Sequence, residues 1–250
     1  MASDSILEIR NLTKNYGRLS ALNGLNLHVR QGEIYGLLGP NGSGKTTLSY
    51  CLCGIIPHYL GGEMTGRVDI NGLNTRVTPL HRLTAEIGII LQDPNIQLLM
   101  PSVEDDIAFG LENHNLPAGL IAEKVDQVME LVGISHLRKE NPNRLSGGEK
   151  QLVAIATVLA LDPPILVFDE SLSMLDDRSA SNIIGVLKKL KEEGKTMVII
   201  DHTGRGRSVY EKVFVLEEGR VIHRGRKDDI LDDSNFLHRH HLQPDSGRTN

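Results

Sequence analysis

The sequence predicts an α/β fold with a mostly parallel sheet, a small antiparallel β lobe and an inserted helical subdomain. Helix and strand patterns alternate from Gln151 to Leu216, as is typical of parallel strands joined by helices on the faces of a sheet. Short strand patterns precede this stretch, and a helical segment at about 95–145 interrupts the core. A chain of 250 residues, 40% of them hydrophobic, is long enough to bury such a core.

The antiparallel lobe is predicted from the first part of the chain. Two short strands, at 6–10 and 25–29, flank a polar connection that contains Tyr16. A third strand at 68–70 is followed by an Asn-Gly pair, which favours a tight turn. These patterns indicate a small sheet beside the core.

The helical segment and the alternating part complete the prediction. A strand at 87–91 precedes amphipathic helices from Val103 to about Val132, with a break at 116–119 where proline and glycine interrupt the pattern. A further helix extends from Gln151 to Leu161. The alternating part is then predicted to hold strands at 165–168, 196–200 and 213–216, with a helix at 179–193.

A glycine-rich segment beginning at Gly39 matches the phosphate-loop pattern G-x-x-x-x-G-K-[ST] of nucleotide-binding proteins. It follows a buried strand pattern at 33–38 and precedes a helix, so its amides lie at a helix N-terminus that attracts anions. A glycine-rich turn that matches by accident is the alternative, which the strand and helix context disfavours. The predicted core is therefore that of a P-loop NTPase. The residues expected to bind the nucleotide are Asn41, Gly42, Ser43, Gly44, Lys45, Thr46 and Thr47, with Thr46 also reaching Mg²⁺.

An apolar strand pattern ends in two acids, Asp169 and Glu170. Ligands of open parallel sheets bind beyond the carboxyl ends of the strands, so Asp169 is expected beside the phosphate loop, where it can hold Mg²⁺. Glu170 is then placed to orient or deprotonate the attacking water. An ordinary strand end with two solvated acids would be the better interpretation if the phosphate loop were absent.

The segment Leu145-Ser146-Gly147-Gly148-Glu149 has two interpretations. Ser146 and Glu149 fit the capping box of a helix start, which explains half of the pattern. Two glycines in the first helical turn are each about 1 kcal/mol worse than alanine. They suggest that an anion approaches this second helix N-terminus closely.

Composition excludes several classes of function. A net charge of -5 and a pI near 6.1 give no electrostatic footprint for nucleic acid. No apolar run approaches the roughly 18 residues needed to cross a bilayer, and no signal peptide is evident, so a cytoplasmic protein is expected. Cys51 and Cys53 are expected to be buried free thiols, and the histidine-rich run at 238–241 a solvated helix end.

Taken in order, these motifs resemble those of the ATP-binding cassette (ABC) ATPases, over nearly the whole chain. The signature of that family is the Leu145 to Glu149 sequence. The resemblance implies an ABC ATPase domain at 1–225, a helical subdomain inserted at about 95–150 and a short helical tail at 226–250. It also matches Tyr16 to the adenine-stacking aromatic residue, Gln92 to the glutamine loop, Leu175-Asp176 to the aspartate loop and His202 to the switch histidine.

The same resemblance implies that two cassettes bind ATP and Mg²⁺ between them, head to tail. Each nucleotide would lie between one phosphate loop and the Ser146, Gly147 and Gly148 helix start of the other chain, whose dipole would favour ATP over ADP. Gln92 would sense the γ-phosphate or the attacking water and contact Mg²⁺. Glu170 and His202 would position that water for hydrolysis.

The segment after Gln92, together with 56–66 and 173–176, is similar to energy-coupling-factor (ECF) importers of vitamins and of cobalt or nickel ions. This implies a peripheral ATPase at the cytoplasmic face of the cell membrane, with a second ABC subunit, identical or related, and integral membrane coupling and transport subunits. A docking groove for a membrane-subunit helix is expected from the segment after Gln92, although burial inside the helical subdomain is equally compatible with the pattern. The residues of this groove would be Ile96, Leu98, Leu99 and Met100.

Three other interpretations remain at this point. Another ABC importer or an exporter would use the same motor. A soluble ABC protein of DNA repair or translation would usually carry a long coiled coil or a second cassette, and neither pattern is present. A kinase or switch protein would leave the Ser146 to Gly148 motif unexplained.

Overall fold

The computed structural model describes residues 5–172, 175–201 and 205–242, and the strands in these ranges form two sheets. The strands are β1 (Ser5–Tyr16), β2 (Leu19–Arg30), β3 (Ile34–Leu38), β4 (Met64–Ile70), β5 (Leu73–Asn74), β6 (Ile87–Ile90), β7 (Ile165–Asp169), β8 (Thr196–Ile200), β9 (Lys212–Glu217) and β10 (Arg220–Arg226). The helices are α1 (Lys45–Leu52), α2 (Ile55–His58), α3 (Leu80–Leu83), α4 (Val103–Asn113), α5 (Ala118–Val132), α6 (Gly147–Leu159), α7 (Asp177–Glu192), α8 (Lys227–Leu231) and α9 (Ser234–Arg239).

The larger sheet has, among the described residues, six strands in the order β10-β9-β3-β8-β7-β6. The pairs from β9 to β6 are parallel, and β10 joins β9 in an antiparallel edge pair. Every residue of β3, β7 and β8 is buried, as expected for parallel strands that are covered on both faces. This sheet confirms the predicted mostly parallel α/β core.

The smaller sheet is antiparallel, with the order β2-β1-β4-β5, as predicted. The predicted lengths of its first two strands were wrong, because β1 and β2 form one long hairpin. The strand pattern was lost from the sequence because the register shifts between Ile9 and Leu12, where Asn11 has a φ of 48°. Tyr16 therefore ends a strand, where a polar connection had been expected.

Three long helices lie between β6 and β7. Ser102 begins α4 by accepting a hydrogen bond from the Asp105 amide, and Gly133, with a φ of 78°, ends α5. The break between α4 and α5 falls where proline and glycine predicted it. α6 begins at Gly147, so the capping-box interpretation of its start is confirmed.

Hydrophobic side chains fill both faces of the larger sheet. In β7, Leu166 and Phe168 pack toward α4, α5, α6 and α7, whereas Val167 packs toward α1 and the smaller sheet. Ile230, Leu231 and Leu237 of α8 and α9 join the first of these clusters, so the C-terminal helices pack on the core. This arrangement leaves the carboxyl ends of β3, β7 and β8 at a common edge.

Both cysteines are buried, as expected, and burial raises the pKa of the Cys51 thiol to about 12. Near the end of the described chain, His240 packs on the ring of Phe236 and lies 2.8 Å from a Glu217 oxygen, so this part of the histidine run is not simply solvated. In the ranges that the structure covers, no helix combines the length and apolar character needed to cross a membrane.

Candidate functional site

The parallel pairing of β3, β8 and β7 brings the phosphate loop and the two predicted acids to the same edge of the sheet. The loop follows β3, Asp169 is the last residue of β7 and pairs with Ile200 of β8, and Glu170 comes directly after it. A cavity of about 370 Å³ opens there. Eight of the predicted site residues line it: Tyr16, Asn41, Gly42, Gly44, Lys45, Thr46, Thr47 and Glu170.

Close packing explains two of the loop glycines. A Cβ on Gly44, whose φ is 106°, would lie 2.4 Å from the Ala21 carbonyl oxygen. A Cβ on Gly39 would lie 2.3 Å from the carbonyl oxygen of Leu216. The hairpin of β1 and β2 and strand β9 therefore hold the loop against the sheet, and the loop amides keep their places around the cavity.

Lys45 is buried in the wall of this cavity, with only 4% of its side chain exposed. Its Nζ donates hydrogen bonds to the carbonyl oxygens of Gly39, at 2.9 Å, and Pro40, at 3.1 Å. The Oε1 of Glu170 lies 3.5 Å from the same nitrogen. A cation and a carboxylate thus meet beside a row of loop amides, which is an arrangement that can bind a polyphosphate and position a water molecule.

Asp169 lies behind the cavity wall. Its Oδ2 accepts a 2.8 Å hydrogen bond from the hydroxyl of Ser49, while Oδ1 is buried without a hydrogen-bond partner. Burial raises the pKa of Asp169, and the hydrogen bond from Ser49 opposes this effect. A buried carboxylate oxygen without a partner, on the loop side of the sheet, fits a ligand of Mg²⁺ or of its water molecules. Ser49 was missed because no motif marks it.

Glu170 has an unusual backbone conformation. Its φ is 52°, in the left-handed region that residues other than glycine seldom adopt. Its amide donates a 3.1 Å hydrogen bond to the carbonyl of Ile200, which ties this conformation to β8. Strained residues of this kind concentrate at functional sites, and here the turn carries the carboxylate back toward Lys45.

Tyr16 lies at the rim of the cavity and is 38% exposed. The Nζ of Lys14 is 4.8 Å from the centre of its ring, and this fully buried ammonium donates a 2.5 Å hydrogen bond to the carbonyl of Gly61. The sequence indicated neither Lys14 nor the wall formed by Leu19, Ser20 and Ala21, because their nearness depends on the β1–β2 hairpin.

The Ser146 helix start is not part of this cavity. Ser146 caps α6, and its reciprocal bonds with Glu149 lower the pKa of Glu149. Ser146 and Gly147 are exposed, but Gly148 is buried against α7, where an added Cβ would lie 2.2 Å from the hydroxyl oxygen of Ser179. Packing within the chain is therefore enough to explain a glycine at position 148, whereas the predicted contact of this helix start with an anion stays a prediction.

The remaining predicted residues lie apart from the cavity or outside the described ranges. Gln92 follows β6, is exposed and is not part of the cavity wall. Ser43 is buried beneath the loop. Asp176 caps α7 through a 2.9 Å bond from the Ser179 amide. His202 lies outside the residues that the structure describes.

Comparisons with known proteins agree with this geometry. A family model described as ABC transporter matches residues 22–173. The chain is 37% identical, over 235 residues, to energy-coupling factor transporter ATP-binding protein EcfA1 of Mycoplasmoides gallisepticum, covering 94% of this chain and 82% of that protein. The structure of CbiO1 from Clostridium perfringens, described as part of the ABC transporter complex CbiONQ, superposes with a TM-score of 0.82 at 33% identity and 96% coverage of both chains. The dimeric post-hydrolysis structure of the ATP-binding cassette MJ0796, bound to ADP and Pi, has a TM-score of 0.76 at 27% identity and covers 88% of this chain and 98% of that one.

The packing of Gly148 predicts that two adjacent glycines will respond differently to substitution. Gly148→Ala should destabilise the isolated protein by about 1–3 kcal/mol, because the new methyl group overlaps Ser179. Gly147→Ala has open space and should be neutral or stabilising by up to about 1 kcal/mol. Urea unfolding would measure both, and Ser179→Gly should restore most of the loss in the Gly148 variant. Equal effects of the two alanines would contradict the packing argument.

The burial of Asp169 predicts a pH-dependent gain from its amide analogue. The pKa is raised above its ordinary value of 3.8, so the charged form is disfavoured in the folded chain. The charged carboxylate therefore lowers the free energy of unfolding at every pH above its pKa in the folded chain. This loss of stability shrinks as the pH falls through that pKa and is absent below about 3.8, the pKa in the unfolded chain. Asp169→Asn should therefore raise the melting temperature in EDTA at pH 7, with a smaller gain toward pH 4. The exposed Asp229→Asn is the control, and a lower melting temperature for Asp169→Asn at pH 7 would refute the prediction.

Proposed function

Because this chain belongs to the ABC transporter ATPase family, we propose that it is the ATP-hydrolysing subunit of an energy-coupling-factor importer for a vitamin or a transition-metal ion. The approach of Lys45 to Glu170 beside the unpartnered oxygen of Asp169 carries the catalytic part of this proposal. The similarity to EcfA1 over most of both chains supports the importer type.

Each part of the cavity receives a role in this proposal. The loop amides of Asn41 to Thr47 and the ammonium of Lys45 bind the phosphates of ATP. Thr46, Asp169 and Gln92 hold Mg²⁺, which neutralises phosphate charge. Glu170 takes a proton from the attacking water, and Tyr16 stacks on adenine, a contact worth ~1–3 kcal/mol by analogy with base stacking elsewhere.

A second cassette completes the site in this proposal. The exposed amide end of α6, at Ser146 and Gly147, does not line the chain's own cavity and is available to the γ-phosphate of a partner subunit. The dimeric MJ0796 cassette supports this arrangement by likeness. The partner is an identical chain or a related one. His202, outside the described ranges, keeps its proposed role at the γ-phosphate.

The proposed domain organisation is one ATPase domain at 1–225 with a helical subdomain at about 95–150 and a tail at 226–250. An apolar crevice of about 340 Å³ lies between the core and this subdomain. Leu99, 71% exposed, and Phe109, 42% exposed, line it. Leu98 instead packs on the core, and Ile96, although 67% exposed, is not in the wall.

We place the membrane partner in this crevice. Of the four groove residues expected from the sequence, Leu99 lines the crevice, and Met100 is half-buried outside its wall. A helix of an integral membrane coupling subunit would bury Leu99 and Phe109, in the way that amphipathic helices enter hydrophobic grooves. This contact would hold the chain at the cytoplasmic face of the membrane as a peripheral subunit.

Glu170→Gln tests the catalytic proposal. The variant should still bind ATP but lose at least about 100-fold in turnover, because the amide cannot accept the proton of the attacking water. Light scattering after gel filtration with Mg-ATP should find a trapped dimer. Lys45→Ala, which removes the phosphate-binding cation, is the control and should remain monomeric. Unchanged turnover, or a strictly monomeric Glu170 variant saturated with Mg-ATP, would overturn the proposal.

Leu99→Asp tests the docking crevice. The charge should prevent burial of this wall against a membrane subunit, so the variant should stay in the supernatant when membranes of the source cells are sedimented. Val77→Asp is the matched control, because Val77 is 75% exposed and lies outside the crevice. Both variants should bind ATP normally. Co-sedimentation of Leu99→Asp at the level of the wild-type protein would exclude this docking site.

A further inference from the structure

A second cavity, of about 300 Å³, lies at the end of the larger sheet opposite the phosphate loop. It is bounded by the first residues of β3 and β9, the last residues of β10 and the last residues of β2, so both sheets contribute to it. We call it the basic cavity. Its basic lining residues, among those the structure describes, are His28, Arg30, Lys212, Arg224 and Arg226.

The register of the larger sheet puts like charges side by side in this cavity. Arg226 pairs directly with Lys212 across the antiparallel β9–β10 ladder, and Lys212 pairs in turn with Tyr35 of β3. Arg224, two residues before Arg226, pairs with Phe214 and belongs to the same face. Like charges directly opposite each other destabilise a strand pair, and nearby anions offset this cost.

The smaller sheet adds two more basic side chains. His28 and Arg30 are two residues apart on β2, so they project from one face of the strand, and both are exposed and line the basic cavity. Arg30 and the arginines of β10 thus converge from different sheets on one space. The whole chain has a net charge of -5, whereas the basic cavity is a local concentration of positive charge.

Carboxylates of the chain neutralise only part of this charge. Glu33 lies 2.5 Å from the Lys212 ammonium and accepts a 2.5 Å hydrogen bond from the Tyr35 hydroxyl. Burial raises the pKa of Glu33, but the hydrogen bonds from Lys212 and Tyr35, together with the positive charges of Lys212 and Arg30, outweigh burial and lower it. Within the described ranges, Arg30, Arg224 and Arg226 have no carboxylate within ion-pair distance.

The floor of the basic cavity is rigid. The rings of Tyr35 and Phe214 stack with centroids 4.8 Å apart and planes within 7°, and both are almost fully buried. The Lys212 ammonium lies 5.7 Å from the centre of the Tyr35 ring. The cations therefore stand around a preformed apolar floor, which lowers the entropic cost of binding a ligand.

We propose that the basic cavity is a second anion site, which binds the phosphate group of a small molecule through Arg30, Arg224 and Arg226. Guanidinium groups bind phosphate oxygens in pairs, and groups from two sheets can contact different oxygens of one phosphate or of two linked phosphates. The volume is at the lower end of the range for small-molecule sites. The basic cavity is separate from the nucleotide cavity, and anion binding there does not depend on the proposed transport function.

Protection of sheet edges is the competing explanation. Both β2 and β10 are edge strands, and basic residues on edges discourage pairing with other chains. Protection needs charges along an edge, but it does not need charges from two edges to share one cavity. It predicts aggregation when the charges are removed, with no change in anion binding.

Binding of inorganic pyrophosphate distinguishes the explanations. Equilibrium dialysis should find one pyrophosphate per chain in Lys45→Ala, which lacks the cation of the phosphate loop, and two in the wild-type protein. Adding Arg30→Gln and Arg226→Gln to the Lys45 variant should weaken the remaining site about 10- to 100-fold. The charge-matched control pair, Arg82→Gln and Arg220→Gln, removes exposed arginines outside the basic cavity and should leave binding unchanged.

A thermal melt of each variant separates a binding role from a structural one. Without ligand, the Arg30 and Arg226 variant should melt no lower than wild type, because a like-charge contact has been removed. Pyrophosphate should raise the melting temperature of the control pair but not of this variant. If the double variant aggregates, the single variant Arg224→Gln replaces it in the pyrophosphate-binding and melting measurements. Unchanged pyrophosphate binding in every basic-cavity variant would overturn the proposal.

The phosphate can also belong to a lipid headgroup. Vesicles of phosphatidylglycerol and phosphatidylcholine distinguish this source from a soluble ligand. Vesicle binding that is lost in the Arg30 and Arg226 variant but kept in the control pair, without pyrophosphate binding, would assign the site to a headgroup. Pyrophosphate binding without vesicle binding would assign it to a soluble phosphate compound. Binding of neither probe would refute the site.

Discussion

The hydrogen-bonded alignment of β3, β8 and β7 is the constraint on which the functional site depends. These strands are parallel and fully buried, so the loop after β3 and the two acids at the carboxyl end of β7 lie at one edge. Proximity in the sequence does not bring Lys45 to 3.5 Å from Glu170, since 124 residues lie between them. The sheet supplies that proximity, and the Glu170 turn, tied to Ile200, completes it.

Burial makes this edge useful for phosphate chemistry. Lys45 and Asp169 are almost fully buried. Electrostatic interactions are stronger in the protein interior than at an exposed surface. The same burial leaves Asp169 with an unpaired oxygen and a raised pKa. An ABC ATPase thus holds polar groups whose interactions are incomplete in the single chain. Binding of substrate and cation can complete them, which favours the bound state over the free one.

The two ends of the larger sheet differ in the charged groups that they carry. At the carboxyl end, the phosphate loop, the buried Lys45 and Glu170 line a cavity, and Asp169 lies behind its wall. At the amino end, arginines of two edge strands surround an aromatic floor, and of the basic lining residues that the structure describes only Lys212 lies within ion-pair distance of a carboxylate. β3 begins at one cavity and leads into the other, so the ends are connected through a rigid, buried strand.

The sequence by itself determined the fold class, the phosphate loop, the acidic strand end and the capped start of α6, because each depends on local pattern or on residues at short spacing. The tertiary structure decided what depends on distant partners. Only after the elements pack does Ser49 donate its hydrogen bond to Asp169, Lys14 lie against Tyr16, and Ser179 fill the space that a side chain at Gly148 would need. The lengths of β1 and β2 were also hidden, since a bulge breaks the alternation that a strand prediction reads. The basic cavity belongs to this second class, because its arginines lie on β2 and β10, at opposite ends of the chain, and converge only when the two sheets meet.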